Sequence, residues 1–304
     1  MTTSFTETLV AQELESQPEL REGFAEVGDV TLHYVEAGEG PLVVLLHGFP
    51  EFWFGWRLQI EAIAAAGFRV VAPDMRGYNL SSKPSGISAY SGEKLADDIY
   101  GLIHELGEKS ATLVGHDWGG TVAWTTAMNH PEVVDRLVVL DAAHPRKLQK
   151  GLFSPRQLLR SWYFFFFTLP WLPERVVSAK RFRFFQRFLR DARPAYTPEE
   201  MDRYVEAWSR PGAARAMLDY YRNSVLTPPW KAWRAIRKVT APTLVIWGKR
   251  DRYLGPKLAE PEHDDVPNLD RVVRLPNASH WVHHDEAEQV TQLLVDFLSP
   301  AVEA

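Results

Sequence analysis

The 304-residue chain is 45% hydrophobic and 12% aromatic, with 11 Trp, enough to bury one large core and an insertion beside it. It contains no Cys, which excludes a disulfide framework, a thiol nucleophile and a Cys-bound metal. The net charge of −5 gives no general attraction to nucleic acid, yet twelve of the 34 Lys and Arg fall between Arg146 and Arg193, with only two of the 39 Asp and Glu.

Met1 to Glu22 is polar and acidic and lacks the basic start and apolar run of a secretory signal, so a cytoplasmic location is expected. Strand-like runs follow at Val30–Val35, Leu42–Leu46, Arg69–Ala72, Ala111–Val114 and Arg136–Leu140. After a gap come Thr243–Trp247 and Arg271–Leu275. Most are continuous and β-branched rather than alternating, which suits strands covered on both faces. Helical patterns separate them, notably Glu93–Leu106 with Ser91 as its N-cap. This rhythm predicts a doubly wound, mostly parallel α/β sheet.

The rhythm breaks between about Pro145 and Val239, where Pro-punctuated helical segments rich in aromatics and Arg replace strands. A helical cap is expected there, giving a first core part at 1–144, a cap at 145–239 and a second core part at 240–304. The nearly apolar run Trp162–Leu172 is too short to span a bilayer. The basic segment is read as a solvated helical face whose Arg stems cover apolar surface, in preference to a membrane or acidic-partner surface.

Gly115–Gly120 links the Ala111–Val114 strand to the helical run Thr121–Met128. That is the strand–turn–helix context of a nucleophile elbow, with glycine where a side chain would strike a neighbouring strand or helix. The central residue is Asp117, not Ser. A carboxylate is a poor acyl-transfer nucleophile but a good one for displacement at saturated carbon, through a covalent ester. Hydrolysing that ester needs a base and an orienting acid, and the order nucleophile, acid, histidine selects Asp251 and His280. Asp141, at the end of another strand, is the alternative acid, with Asp251 favoured. His47–Pro50 follows a strand, and the backbone N–H groups of Phe49 and Trp118 would form an oxyanion hole. His47 and His116 are read as structural. His283, His284 and Asp285 are read as a polar surface turn rather than a metal site.

Gly115–Gly120, His47–Pro50 with Glu51 following, Asp74–Tyr78, Ser279–Trp281 and the placement of the cap together resemble the α/β-hydrolase-fold epoxide hydrolases. The resemblance runs from about Phe24 onward. The elbow alone is shared with haloalkane and haloacetate dehalogenases. In epoxide hydrolases two cap tyrosines bind the epoxide oxygen, and the resemblance assigns these to Tyr163, seven residues before Pro170, and Tyr221. Fluoroacetate dehalogenases have His and Trp at the positions of Tyr163 and Phe164, and Phe164 can donate no hydrogen bond. The resemblance therefore implies epoxide hydrolysis to a vicinal diol, without cofactor or metal, and a cis bond at Phe49–Pro50. Trp53, Phe54, Phe164 and Trp281, with Trp118, are expected to line an apolar pocket for an aryl or alkyl epoxide, with water as co-substrate. Dehalogenation by the same triad, and a non-catalytic ligand-binding scaffold, are the other readings. Membrane association is not expected, and the oligomeric state stays open, a homodimer being one option.

Overall fold

The computed structural model describes residues 19–152 and 154–299. Most of the acidic N-terminal stretch, Phe153 and the last five residues lie outside the described residues.

The core opens with β1 (Arg21–Val27), β2 (Val30–Ala37) and β3 (Leu42–Leu46), then α1 (Arg57–Ala65) and β4 (Arg69–Pro73). It continues through α2 (Gly92–Glu105), β5 (Ala111–His116), α3 (Trp118–Asn129) and β6 (Val134–Leu140). Seven helices follow before the next strand: α4 (Pro145–Leu152), α5 (Pro155–Arg160), α6 (Trp162–Phe167), α7 (Leu172–Phe188), α8 (Pro198–Ser209), α9 (Ala213–Leu226) and α10 (Pro229–Arg234). The chain then forms β7 (Thr243–Gly248), β8 (Leu269–Leu275), α11 (Val282–Asp285) and α12 (Ala287–Leu298). One sheet has the order β1-β2-β4-β3-β5-β6-β7-β8. Strands β3 to β8 run parallel, while β2 is antiparallel to both β1 and β4.

The continuous apolar runs have the expected cause. Strands β3, β5 and β7 are buried at every position. Alternate residues feed opposite layers, as the pleat requires: Val44, Leu46 and Leu113 pack with α2 and α3, whereas Val43, Leu45 and Val114 pack with α1 and α12. Helix α2 begins where expected, the Ser91 hydroxyl accepting the Lys94 N–H at 3.4 Å. Strand β1 was not anticipated. It alternates charged and small residues, is half exposed at the sheet edge, and joins β2 through the tight Gly28-Asp29 turn with Gly28 at φ 56°. Its strand identity comes from pairing with β2, not from its own hydrophobicity. Within α7 the helix is interrupted at Ala179–Phe182, where three residues adopt left-handed angles.

The turn between β5 and α3 is a single residue, Asp117, at φ 49° and ψ −116°. Its sharpness depends on missing side chains. A Cβ on Gly119 would meet the carbonyls of Leu46 and His47, one on Gly115 would meet the backbone of Gly119, and one on Gly120 would meet Ala142. Backbone atoms cannot swing aside, so Gly119→Ala should lower unfolding stability by roughly 3 kcal/mol, seen as a reduced urea midpoint. An unchanged midpoint would show that the β3–α3 contact can relax.

Candidate active site

The nucleophile, the histidine and the acid of the candidate site emerge at the C-terminal ends of parallel strands, the edge where open α/β sheets bind ligands. Asp117 follows β5, Phe49 follows β3, Asp251 follows β7 and His280 follows β8. His280 sits between two carboxylates. Its Nδ1 lies 2.8 Å from Asp251 Oδ2, and its Nε2 lies 3.3 Å from Asp117 Oδ2. The side chains of His280 and Asp251 are 4% and 1% exposed, but that of Asp117 is 17% exposed, so a ligand can reach Asp117 first.

Asp251 is fixed by the N–H groups of Tyr253 (2.6 Å) and Leu254 (2.9 Å) on its other oxygen, which aims Oδ2 at the imidazole. Asp141 is differently engaged. Its Oδ1 accepts the Gly248 N–H at 2.8 Å, its Oδ2 is buried without a partner, and it does not bond the ring of His280. Burial and the charge of Asp251 push its pKa well above the carboxylate range, which disfavours a charge on Asp141.

Burial opposes a charge on His280, but Asp251 and Asp117 outweigh it and hold the ring well above the usual histidine pKa. Burial likewise opposes a charge on Asp117, yet its contacts with His280 and the Phe49 N–H keep its pKa below the usual value. That N–H meets Asp117 Oδ1 at 2.9 Å. The Trp118 N–H opens α3, where helical geometry leaves donors without an intrahelical partner. The Phe49–Pro50 bond is cis.

Above Asp117 the cap supplies two buried phenols. The rings of Tyr163 and Tyr221 lie 5.8 Å apart, edge to face, and Tyr221 also packs on Phe49, Trp118 and Phe164. Neither hydroxyl is committed to a carbonyl or carboxylate among the described residues. Burial first, then the nearby negative charge of Asp117, raises both pKa values well above the phenol range, so both remain O–H donors. Neighbouring Tyr220 is used otherwise, donating to the Arg76 carbonyl at 2.7 Å.

The alpha/beta hydrolase fold model matches residues 41–287. The chain belongs to the α/β-hydrolase fold family. It is 41% identical over 285 residues to the AB hydrolase superfamily protein YfhM of Bacillus subtilis (strain 168), covering 90% of this chain and 96% of that protein. It is 37% identical over 276 residues to human Epoxide hydrolase 4, covering 88% of this chain and 75% of the relative. The crystal structure of a Bacillus megaterium epoxide hydrolase in complex with an inhibitor superposes with a TM-score of 0.84 at 33% identity, covering 91% of this chain and 99% of that one.

A second buried cluster of this hydrolase was not foreseen. Glu51, next to the His47–Pro50 turn, faces His116 Nδ1 (3.1 Å), His283 Nε2 (3.3 Å) and, at longer range, the hydroxyls of Tyr204 (3.4 Å) and Tyr196 (3.5 Å). Burial opposes its charge, but His283 and His116 hold its pKa well below the carboxylate range. His116 in turn places Nε2 2.8 Å from the His280 carbonyl. The available signal was a lone carboxylate inside an aromatic stretch, Phe49 to Phe54. His47 has a plainer task, bracing Gly48 and accepting the Met75 N–H.

One expectation changes. The segment from His283 to Asp285 is not a surface turn, because both histidines are buried. His283 packs on Trp56, His284 contacts the Pro194 carbonyl, and Asp285 accepts the N–H groups of Ser279 and Arg193. The possible metal donors Glu51, His116 and His283 lie within 4.8 Å of one another but already satisfy each other by hydrogen bonds. Phe164 packs on both phenols, and Trp281 packs behind His280 while donating to the Phe188 carbonyl. Trp53 and Phe54, however, turn through a short 3₁₀ segment toward Phe52 and Tyr204, with Arg57 and Arg203 over the Phe54 ring. The two guanidinium groups and the Tyr204 ring hold Phe54 in place.

The cavity that reaches Tyr163 has a volume of about 420 Å³ and is bounded by Leu159, Arg160, Trp162, Phe184, Arg187, Phe188, Arg252 and Tyr253. A larger hollow of about 690 Å³, among Lys147, Lys257, Glu260, Glu262 and His263, touches neither the triad nor the two phenols.

The raised pKa of His280 has a stability consequence. Its contribution is fully present below the unfolded value of about 6.5 and is lost as pH rises through the folded value. Asp117→Asn removes one flanking charge, so the His280 ring should titrate at lower pH by NMR, and the alkaline loss of stability should begin earlier. An unmoved titration would place the controlling charge elsewhere.

Proposed function

We propose that this hydrolase opens epoxides to vicinal diols through an ester on Asp117. The observation that carries this is the pair of neutral phenols, Tyr163 and Tyr221, packed above a reachable carboxylate. The family membership and the epoxide hydrolases among the relatives support the same reading. We take residues 145–239 as the cap unit that brings the phenols to the core.

Asp117 attacks one epoxide carbon, the carbon–oxygen bond breaks, and the departing oxygen takes a proton from one tyrosine while the other donates a hydrogen bond. Esterification removes the negative charge of Asp117, and with it one of the two charges that keep His280 protonated. The ring can then give up its proton to the tyrosinate left by ring opening and, still oriented by Asp251, act as base. It deprotonates water at Nε2, the water attacks the carboxyl carbon of Asp117, and the Phe49 and Trp118 N–H groups receive the oxyanion. The diol leaves carrying an oxygen that began on Asp117. Asp141, which bonds the Gly248 N–H and not the imidazole, is assigned no role in orienting the base. An apolar, aromatic surround suits an aryl or alkyl epoxide.

Carbon–halogen cleavage by the same triad is the weaker reading, since a leaving halide needs N–H donors rather than a proton and Phe164 offers none. In a single turnover with excess enzyme in ¹⁸O water, the first diol should contain an unlabelled oxygen from Asp117. Full labelling of that product would sink the ester route. Replacing either Tyr163 or Tyr221 by Phe should slow ring opening by ~10²-fold or more, and the double replacement further. Full retention of rate with halide release from a haloalkane would move the assignment to dehalogenation. Asp251→Asn should let ester form but slow its hydrolysis by about 10³-fold or more, leaving a trapped intermediate detectable by mass spectrometry.

A further inference from the structure

Exposed apolar side chains recur along one stretch of the cap. Leu158, Leu159, Trp162, Phe165, Leu169, Trp171 and Leu172 all face water, with Leu159, Trp162 and Trp171 at 75%, 55% and 65% exposure. Trp162 and Phe165 are one turn apart on α6 and therefore share a helix face. Isolated exposed apolar residues need no explanation, but seven within fifteen residues do. The same segment holds the chain's concentration of positive charge, twelve basic residues against two acidic from Arg146 to Arg193. Among the described residues Arg156, Arg175, Arg183, Arg187 and Arg190 have no carboxylate within 4.0 Å, and all are exposed. Leu159, Trp162 and Arg187 also bound the cavity that reaches Tyr163.

We propose that the α5–α7 face of the cap docks on an anionic lipid bilayer, with the mouth of the cavity that reaches Tyr163 turned toward the acyl chains. Trp, Phe and Leu flanked by Arg match the interfacial mode of binding, in which apolar rings enter the headgroup boundary and guanidinium groups meet lipid phosphates. No helix among the described residues is long and apolar enough to cross a membrane, so the contact is peripheral. Charge argues against a second copy of the chain as the occupant. A two-fold contact would set this arginine-rich face against itself. The benefit of docking rests on the epoxide reading above, because an apolar epoxide concentrates in lipid and would enter from the membrane side.

The test is co-sedimentation of the full chain with vesicles of phosphatidylcholine mixed with phosphatidylglycerol, compared with phosphatidylcholine alone. Binding should require the anionic lipid and weaken with added salt. Arg156→Gln with Arg175→Gln should lower the partition coefficient about 30-fold. Phe165→Ser with Trp171→Ser should also lower it, while thermal unfolding and turnover of a water-dispersed aryl epoxide stay unchanged, since none of the four residues touches the site. Equal, negligible pelleting with both vesicles would overturn the proposal. So would vesicle binding indifferent to both double variants, or a lipid-free dimer that the Phe165/Trp171 variant dissolves. Salt-sensitive vesicle binding by a chain that turns over no epoxide would support the docking surface and overturn the catalytic reading instead.

Discussion

No side chain fits between Gly119 and the end of β3, and the site depends on that exclusion. Because the backbones of β3 and α3 meet there, the chain must reverse through one residue, and that residue carries a left-handed φ that only a tight surround can maintain. The strain holds the Asp117 carboxylate out of the sheet, beside the Phe49 N–H on one side and the His280 ring on the other. A looser turn would drop the carboxylate into α3 and leave His280 with one anionic neighbour instead of two.

The electrostatics follow from this placement. Two carboxylates hold the pKa of this buried imidazole well above its usual value, which favours the protonated form and opposes action as a base at rest. It becomes competent when one neighbour loses its charge, so the proposed ester is both an intermediate and the signal that releases the base. Asp141, a third carboxyl close behind, would upset this balance if ionised; its burial beside Asp251 disfavours that charge. The cap completes the set with phenols that stay protonated for the same reason, burial near negative charge.

Much of this was legible in the residues. The parallel strands announced themselves as unbroken β-branched runs because both faces are covered, and the elbow because glycines bracket Asp117. The order of Asp117, Asp251 and His280 pointed to residues that the fold brings within hydrogen-bond reach. What stayed hidden depends on partners distant in sequence. Arg21–Val27 is a strand only through pairing with β2. Phe54 meets Tyr204 and two arginines, contacts that its neighbours in the chain do not announce. The histidines after His280 looked like a polar turn, and burial beside Glu51 and Trp56 reverses that. Local pattern reports periodicity and turn chemistry; it does not report which distant group will satisfy a buried charge.

Glu51 ties the cap to the core in a way that bears on how such enzymes change over evolutionary time. Its carboxylate is held by two histidines of the core and faces two tyrosines of the cap, and one of those histidines immediately precedes Asp117. The inserted helices are therefore not an interchangeable module. A lineage that exchanged its cap for one lacking Tyr196 and Tyr204 would strand part of a buried anion's hydrogen bonding, one residue away from the elbow. New specificities in this scaffold are accordingly more accessible by substitution within the existing cap, around Tyr163 and its cavity, than by wholesale replacement of the insertion.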